Sequence, residues 1–443
     1  MTRTLVVSFL AVAAAGAGAA AAQDAAPAAP VPLTLAQALE QARRNSPRLE
    51  QLRALQAAAE ADVRGARAGR LPQVDLEAAY VRNSNVPELA VAQPGSAPLV
   101  VFPNIPNNYR GRVGLVLPLY TGGRVAGTIE AARQGLTAAT RDVDTGASDL
   151  TLETTTAYWT LVSARENERV LAESIASFEA DLKQVKDRLD VGMAARNEVL
   201  SVEVERDQAE LFRLEAANNA AAANEDLVRL LGLGPGSRVE PTEALAAPAS
   251  VETAEALVAQ ALAARTDMAS LRARAQAAEA GVKIARAARL PQASLGAGYD
   301  YARPNTHILP LTDTWKDTWS IGAAVTFTAF DGGRNAAAVA RARAEAEAAR
   351  HLVDDAERRV RLDVTTRVLD LSTRRTALEV ADRALESARE NLRVSQDRFR
   401  EGLIPSSDLL DAGTRLLRSG LERTRSAIQV QQARANLDRA VGR

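Results

Sequence analysis

The stretch of sequence that decides the fold runs from residue 319 to residue 334 and carries two patterns in succession. It reads Trp319-Ser320-Ile321-Gly322-Ala323-Ala324-Val325-Thr326-Phe327-Thr328-Ala329-Phe330-Asp331-Gly332-Gly333-Arg334. Up to Phe327 the side chains alternate between two sets, which is the period of a β-strand with two different faces. The Gly-Gly pair then indicates a turn, and no proline follows until Pro405. A single long helix is therefore predicted from about residue 334 to 400.

The same succession occurs about 210 residues earlier, so the chain contains an internal repeat. Three motifs recur in the same order: Arg70-Leu71-Pro72-Gln73 as Arg289-Leu290-Pro291-Gln292, Thr121-Gly122-Gly123-Arg124 as Asp331-Gly332-Gly333-Arg334, and Val191-Gly192-Met193 as Glu401-Gly402-Leu403. We predict a linker at 23–32, a first repeat at 33–232, a second linker at 233–250 and a second repeat at 251–443. The first repeat carries about nine extra residues between the first two motifs, which we assign to a loop.

Four segments show strand alternation, at about 73–83, 110–120, 291–303 and 318–330. Each has roughly the ten residues needed to cross a bilayer at a barrel tilt. Aromatic residues stand near the segment ends, as at a membrane–water interface: Tyr80, Tyr109, Tyr120, Tyr301, Trp315, Trp319 and Phe330. An ordinary antiparallel sheet packed on a soluble core remains the alternative, because the pattern of one such strand is weak.

Outside these segments the apolar pattern is helical. In the second half an apolar residue recurs every seven positions, at Val364, Leu371, Leu378, Leu385, Leu392 and Phe399. The first half has a matching seam at Leu161, Ile175, Leu182 and Leu189, so both halves predict coiled-coil helices. The runs 124–190 and 334–400 would each be close to 100 Å long at 1.5 Å per residue. Shorter helices are expected at 34–69, 197–231, 251–288 and 405–441.

Four strands are too few to enclose a lumen, because closed membrane barrels begin at about eight strands. An open sheet edge in lipid would leave backbone groups without partners. The expected fold class is therefore mainly α with a membrane β-barrel portion. Three copies would supply twelve strands, and their long helices would continue as an α-helical barrel.

The first 22 residues have the three parts of a secretory signal peptide: Arg3, an apolar run, and small residues ending at Ala22. We expect cleavage there and an exported chain.

Composition excludes several classes of function. The chain has no cysteine, which excludes thiolate metal sites and a cysteine nucleophile. The formal net charge of −1 provides no basic field, so nucleic acid is not an expected partner. His307 and His351 have no partners at ligand spacing, and the Gly-Gly pairs lack the Lys-Ser/Thr of a phosphate loop. No catalytic, metal or cofactor site is predicted, and an enzyme is not expected.

The repeats, the strand pairs with their Gly-Gly-Arg exits, the tips Asp190-Val191-Gly192 and Arg400-Glu401-Gly402, and the run 407–412 together resemble the TolC-type outer membrane efflux proteins. The resemblance implies a homotrimer in the outer membrane of a Gram-negative bacterium, extending into the periplasm. It also implies a periplasmic adaptor and an inner-membrane pump of the RND or ABC type as partners.

By the same resemblance, Asp408 and Asp411 fall on carboxylates that ring a narrow periplasmic gate, and Glu198 matches a third acidic position. A spacing of three places Asp408 and Asp411 on one helix face. Where the family has a tyrosine and an arginine that help to lock this gate, the chain has Phe399 and Ile404. Asp408 can also be read as a first-turn residue favoured by the helix dipole, with Ser406 or Ser407 as the N-cap.

Two glycines at equivalent positions of the repeats mark the tips of two helical hairpins. Their apolar neighbours are exposed candidates for contact with the adaptor. The predicted contact residues are Val191, Gly192, Met193, Gly402, Leu403 and Ile404.

Two classes of function follow from these predictions. The favoured one is a passive exit duct of a tripartite efflux or type I secretion system. The other is a periplasmic coiled-coil adaptor that never enters a membrane. An adaptor needs one helical hairpin and soluble sheet domains, whereas two repeats that each contain a strand pair favour the duct.

Overall fold

The computed structural model describes residues 30–243 and 253–443. The predicted signal peptide at 1–22 lies outside the described residues. The described part is mainly helical, with a smaller antiparallel sheet at one end of the helices. No helix within these ranges is both long and apolar enough to cross a membrane.

The described residues contain eight strands and eight helices. In chain order they are β1 (Val31–Leu33), α1 (Leu35–Asn45), α2 (Pro47–Ala68), β2 (Gln73–Arg82), β3 (Leu89–Gln93), β4 (Ser96–Phe102), β5 (Asn107–Tyr120), α3 (Arg124–Asp190), α4 (Arg196–Leu231), β6 (Val239–Pro241), α5 (Ala254–Ala264), α6 (Thr266–Ala287), β7 (Gln292–Arg303), β8 (Lys316–Thr326), α7 (Arg334–Arg400) and α8 (Ser406–Val441).

The main sheet has the order β2-β5-β7-β8, with every neighbouring pair antiparallel. β2 and β8 lie at its edges, and neither pairs with another strand among the described residues. β8 ends at Thr326, so the predicted continuation of this strand to Phe330 is wrong. The residues from Phe327 to Phe330 lead into the turn before α7 instead of pairing with β7.

The register separates the side chains of this sheet into an apolar face and a polar face. One row across the four strands joins Leu76, Val113, Tyr299 and Trp319, and the next joins Glu77, Arg112, Asp300 and Thr318. On the apolar face Leu76 is 81% exposed and Trp319 73% exposed. On the polar face Asp300 is buried and accepts a 2.8 Å hydrogen bond from Nε of Arg110. An ordinary soluble sheet would bury the apolar face, which this protomer leaves open.

The loop between β2 and β5, which holds the extra residues of the first repeat, contains a hairpin that the sequence did not predict. β3 and β4 pair antiparallel in a separate two-stranded sheet. The extra residues of the first repeat therefore lie within an ordered hairpin.

Two of the predicted helices are each divided into two. The helix expected at 34–69 breaks at Ser46, which is extended because it precedes Pro47 and which caps α2 through a 3.3 Å bond from the Leu49 amide to its hydroxyl. The helix expected at 251–288 breaks at Arg265, which is also extended. Arg265 is held there by ion pairs to Asp267 and Asp363 at 2.8 and 3.1 Å.

The long helices pack as the heptad seams predict. Val364, Leu371, Leu392 and Phe399 are buried and the two intervening leucines are half-buried, which confirms the α7 seam. α3 packs on α4 and α8, and α7 packs on α8. At the end of the molecule away from the sheet, the helices therefore lie in the order α4, α3, α8, α7. α4 and α7 are therefore the outer helices of the protomer.

A short parallel pair joins two distant parts of the first half. β1 pairs with β6, with Val31 opposite Val239. The buried Tyr158 of α3 lies beside this pair, where its hydroxyl donates to the Leu33 carbonyl at 3.0 Å and accepts from the Glu243 amide at 3.2 Å. Burial raises the pKa of this phenol, so Tyr158 remains a donor.

Candidate functional site at the helical hairpin tips

The two hairpin tips are built in the same way. α3 and α7 each end in a Schellman motif, in which a glycine with positive φ lets its own amide and that of the following residue donate to carbonyls of the last helical turn. In the first tip Gly192 has φ 75°, its amide donates to Leu189 O at 2.9 Å, and the Met193 amide donates to Arg188 O at 2.8 Å. In the second, Gly402 has φ 76° and its amide donates to Phe399 O at 2.9 Å.

The apolar residues of the tips differ in their exposure. Val191, Met193 and Leu403 are each at least 62% exposed. Ile404 is partly buried and packs against the apolar cluster beneath the tips. Three of the four apolar residues predicted for contact therefore form an open surface, while Ile404 supports it from below.

Arg188 connects the first tip to the second. It lies in the last turn of α3, and its guanidinium donates to the carbonyl of Phe399 and, at 3.1 Å, to the carbonyl of Arg400. Its Cζ also lies 3.9 Å from the centre of the Phe399 ring. An arginine of one hairpin thus satisfies the last carbonyls of the long helix of the other hairpin.

Glu198 makes a second connection between the tips. Its carboxylate accepts a 2.5 Å hydrogen bond from the Ser406 hydroxyl at the start of α8 and a 3.1 Å bond from the Ala195 amide. These bonds, together with the nearby charge of Arg188, hold the pKa of Glu198 below its usual range. The carboxylate is therefore ionised at neutral pH and engaged in joining α4 to α8.

The start of α8 differs in one respect from the capping predicted for it. Pro405 occupies the N-cap position and offers no side-chain acceptor, and the Ser406 hydroxyl donates to Glu198. Ser406 lies within the helix as its first residue, so the prediction of a serine N-cap at 406 or 407 is wrong.

Asp408 and Asp411 lie together on the open side of α8. Both are exposed, whereas Leu409 and Ala412 on the other side of the helix are buried in the cluster beneath the tips. Neither aspartate forms a salt bridge within the described ranges. The structure thus places Asp408 and Asp411 on one outward face, and Glu198 between the two hairpins.

The described ranges contain no cluster of side chains suited to hold a metal ion. Groups of three or more potential ligands close enough to hold a metal ion are absent from residues 30–243 and 253–443. His351 lies on an exposed face of α7, with Glu347 and Asp354 at 3.8 and 3.7 Å.

Sequence reasoning missed Arg188 and gave Ser406 a different role, that of a possible N-cap. Arg188 and Ser406 carry no motif, and their partners lie more than 200 positions away in the chain. The only local signal is the position of Arg188, since basic residues in the last turn commonly bond free carbonyls.

The chain is similar to known proteins along most of its length. The sequence profile of the outer membrane efflux proteins matches residues 38–233 and 257–443. The chain belongs to this family. It is therefore a passive outer membrane efflux channel and not an enzyme, located in the outer membrane of a Gram-negative bacterium and extending into the periplasm. Comparison with curated protein sequences gives no match.

Solved structures with the same fold include three that cover nearly all of the chain. A membrane protein from Pseudomonas aeruginosa is 22% identical, with a TM-score of 0.77 over 92% of this chain and 93% of its own. The outer-membrane channel OprN is 21% identical, with a TM-score of 0.77 over 92% and 89%. The outer membrane protein VceC from Vibrio cholerae is 20% identical, with a TM-score of 0.77 over 92% and 96%. Channels of this family are trimeric and work with an adaptor and an inner-membrane pump.

Proposed function

We propose that this chain is the trimeric exit duct of a tripartite efflux or type I secretion system. Three sheets close into one twelve-stranded barrel in the outer membrane, and the helices form a periplasmic tube. The observation that carries the proposal is the two-faced sheet. Its apolar face is open in the protomer, and its polar face carries Glu77, Arg112 and Asp300. This is the division expected between lipid and an aqueous lumen.

The edges of the sheet support assembly with further copies. β2 and β8 each present a row of backbone groups without a strand partner in the described protomer. Such groups cost several kcal/mol each in lipid, and closure removes the cost. Pairing β2 of one protomer with β8 of the next satisfies both edges at once.

The exposed residues of the outer helices α4 and α7 also support contact between neighbouring protomers. α4 leaves Leu200 and Val204 exposed, which lie about 6 and 12 Å above the start of this helix at 1.5 Å per residue. α7 leaves Val394 exposed at about 9 Å above its end. Higher up, Leu211 of α4 and Val380 of α7 are also exposed. We infer that α4 of one protomer packs against α7 of the next, because the exposed Val394 of α7 lies at a height between those of Leu200 and Val204 of α4 and both helices carry further exposed apolar residues above.

The periplasmic entrance lies at the tips in this proposal. Asp408 and Asp411 are exposed on one face of α8, so three copies bring six carboxylates around the axis. A crowded ring of this kind favours cations and disfavours anions. Glu198 contributes by holding α4 against α8, and Arg188 by holding α3 against α7. The gate is therefore held shut from within each protomer.

The adaptor contacts the open surface of the tips. Val191, Met193 and Leu403 provide exposed apolar area beside the two turn glycines. We propose that this surface binds a periplasmic adaptor, which connects the duct to an inner-membrane pump of the RND or ABC type. The repeats at 33–232 and 251–443 then supply one tip each. Exposed Leu403→Asp should abolish adaptor cross-linking while the trimer persists, and normal cross-linking would contradict this docking surface.

The proposal is tested by the lipid exposure of adjacent residues on β2. The chain has no cysteine, so Leu76→Cys and Glu77→Cys each give one site for a fluorescent label. In a reconstituted trimer we expect brominated lipids to quench the label at position 76 and not at position 77. Native mass measurement in detergent should give three chains. Equal quenching at both positions, or a folded monomer, would overturn the proposal, and equal protection of both positions would favour a soluble sheet.

A further inference from the structure

One face of the β3–β4 hairpin carries four large apolar side chains that nothing covers in the described protomer. The register pairs Leu89 with Phe102 and Val91 with Leu99, so these four side chains share a face. They are 55, 44, 52 and 43% exposed. No Asp, Glu, Lys or Arg occurs from residue 89 to residue 109. A water-exposed loop rarely presents such a face, and an uncovered apolar patch indicates a contact.

The position of the hairpin is set by the neighbouring loop between β7 and β8. In this loop Asn305 is 3% exposed, and its side-chain amide donates to the Lys316 carbonyl and the Thr318 hydroxyl at 3.0 and 3.2 Å. Thr318 lies on the polar face of the sheet, so the first part of the loop folds over that face, whereas Trp315 at the end of the loop stacks on Tyr301 of the apolar face. The Leu311 amide of the same loop donates to the Val101 carbonyl of β4 at 3.1 Å. From the contacts of Asn305 and Leu311 we infer that the hairpin is attached on the polar side of the sheet, which faces the lumen in the proposed barrel.

The hairpin is long enough to reach the axis of such a barrel. Strands about 4.8 Å apart and tilted by about 40° give twelve strands a radius of roughly 12 Å. The five residues of β3 span about 16 Å at 3.3 Å per residue. Three hairpins that extend inward from the wall must then meet.

We propose that the β3–β4 hairpins of the three protomers pack their apolar faces on one another and close the outer mouth of the duct. The partner is a second copy of the same surface, defined by Leu89, Val91, Leu99 and Phe102. This inference rests on the proposed trimeric barrel. It adds a closure at the end opposite the periplasmic tips, made by apolar contact and not by charge.

Cysteine cross-linking tests the contact directly, because any disulfide must join two copies of a single-cysteine chain. Val91→Cys and Leu99→Cys should form dimers within the trimer under copper-catalysed oxidation, and reduction should reverse them. Ala90→Cys is the matched control, since Ala90 is exposed on the opposite face of the same strand. Cross-linking at position 90 equal to that at position 91 would overturn the proposed face.

Conductance and lipid quenching separate the remaining outcomes. Val91→Asp with Leu99→Asp should raise the single-channel conductance in planar bilayers, whereas Ala90→Asp should leave it unchanged. A trimer without cross-links at positions 91 and 99 refutes this inference alone. A label at position 91 quenched by brominated lipid also refutes it, since acyl chains then cover the face. A monomer in detergent refutes the proposed function and this inference with it.

Discussion

Removing Arg188 should separate the two hairpin tips. In Arg188→Ala the carbonyls of Phe399 and Arg400 lose their donor, and the Phe399 ring loses the guanidinium lying 3.9 Å from its centre. Hydrogen bonds from a charged donor contribute about 1.5–3 kcal/mol, and an exposed cation–π contact about 0.5–1 kcal/mol. Because Arg188 is only partly buried, solvent screening reduces the sum to roughly 2–3 kcal/mol.

Such a loss changes the balance between joined and separated tips by roughly 30- to 140-fold, since 1.4 kcal/mol is a factor of ten. α7 and α8 carry the second tip and the two aspartates, so their release from α3 should widen the entrance. We expect the Arg188→Ala trimer to show a higher conductance and a larger open fraction than the wild type in planar bilayers. Arg188→Lys should restore part of the closure, because an ammonium still donates to a carbonyl but cannot stack as a planar group.

The control is Arg196→Ala, which removes an exposed arginine at the first residue of α4 in the same tip. It should leave the conductance unchanged. If the Arg188→Ala trimer has the conductance and open fraction of the wild type, Arg188 does not hold the entrance and the argument from its contacts is wrong.

Three further predictions concern the entrance and the helices above it. Asp408→Asn with Asp411→Asn should lower cation selectivity and relieve block by multivalent cations in planar bilayers. If the double variant keeps wild-type selectivity at low salt, the two aspartates do not act at the entrance and only favour the start of the helix. Burial raises the pKa of Asp181 to about 6. The folded state therefore holds this proton more tightly than the unfolded state, and stability should fall as pH rises from about 4 to 6, by about 3 kcal/mol. Asp181→Asn should abolish this fall in thermal melts, and an unchanged pH profile would contradict it. A Cβ at Gly413 would lie 3.0 Å from a buried phenylalanine ring, so Gly413→Ala should cost about 1–3 kcal/mol, whereas Gly135→Ala in open space should gain about 0.5–1 kcal/mol. Equal melting temperatures for these two variants would refute the packing argument.

The sequence could predict the long helices and the four main strands because their periods are sustained over many residues. The seam of α7 repeats over six heptad positions, and the alternation in β7 and β8 separates two faces of the sheet. The turn glycines were equally visible, since Gly192 and Gly402 adopt positive φ, which a residue with a side chain rarely adopts.

Features that depend on distant residues or on short runs could not be predicted from the sequence. β1 and β6 have three residues each, too few for a period, and they pair across the whole first repeat. The β3–β4 hairpin lacks polar alternation, because its apolar residues occupy both faces of β4. The break at Ser46 had a local signal in the following proline, whereas the break at Arg265 depends on an ion pair to Asp363 of another helix. The link from Arg188 to Phe399 joins two turns that only the folded chain brings together.

The pairing of β1 with β6 fixes an order of events during folding. Val31 cannot meet Val239 until the 207 residues between these positions have been synthesised and the two strands brought together. Closing a flexible loop of that size costs about 2.7 kcal/mol more than closing one of ten residues. Packing of the pair on α3 offsets that cost: Tyr158 of this helix bonds the Leu33 carbonyl of β1 and the Glu243 amide just after β6. The amino-terminal strand is therefore among the first parts of the described chain to be synthesised and among the last to become fixed.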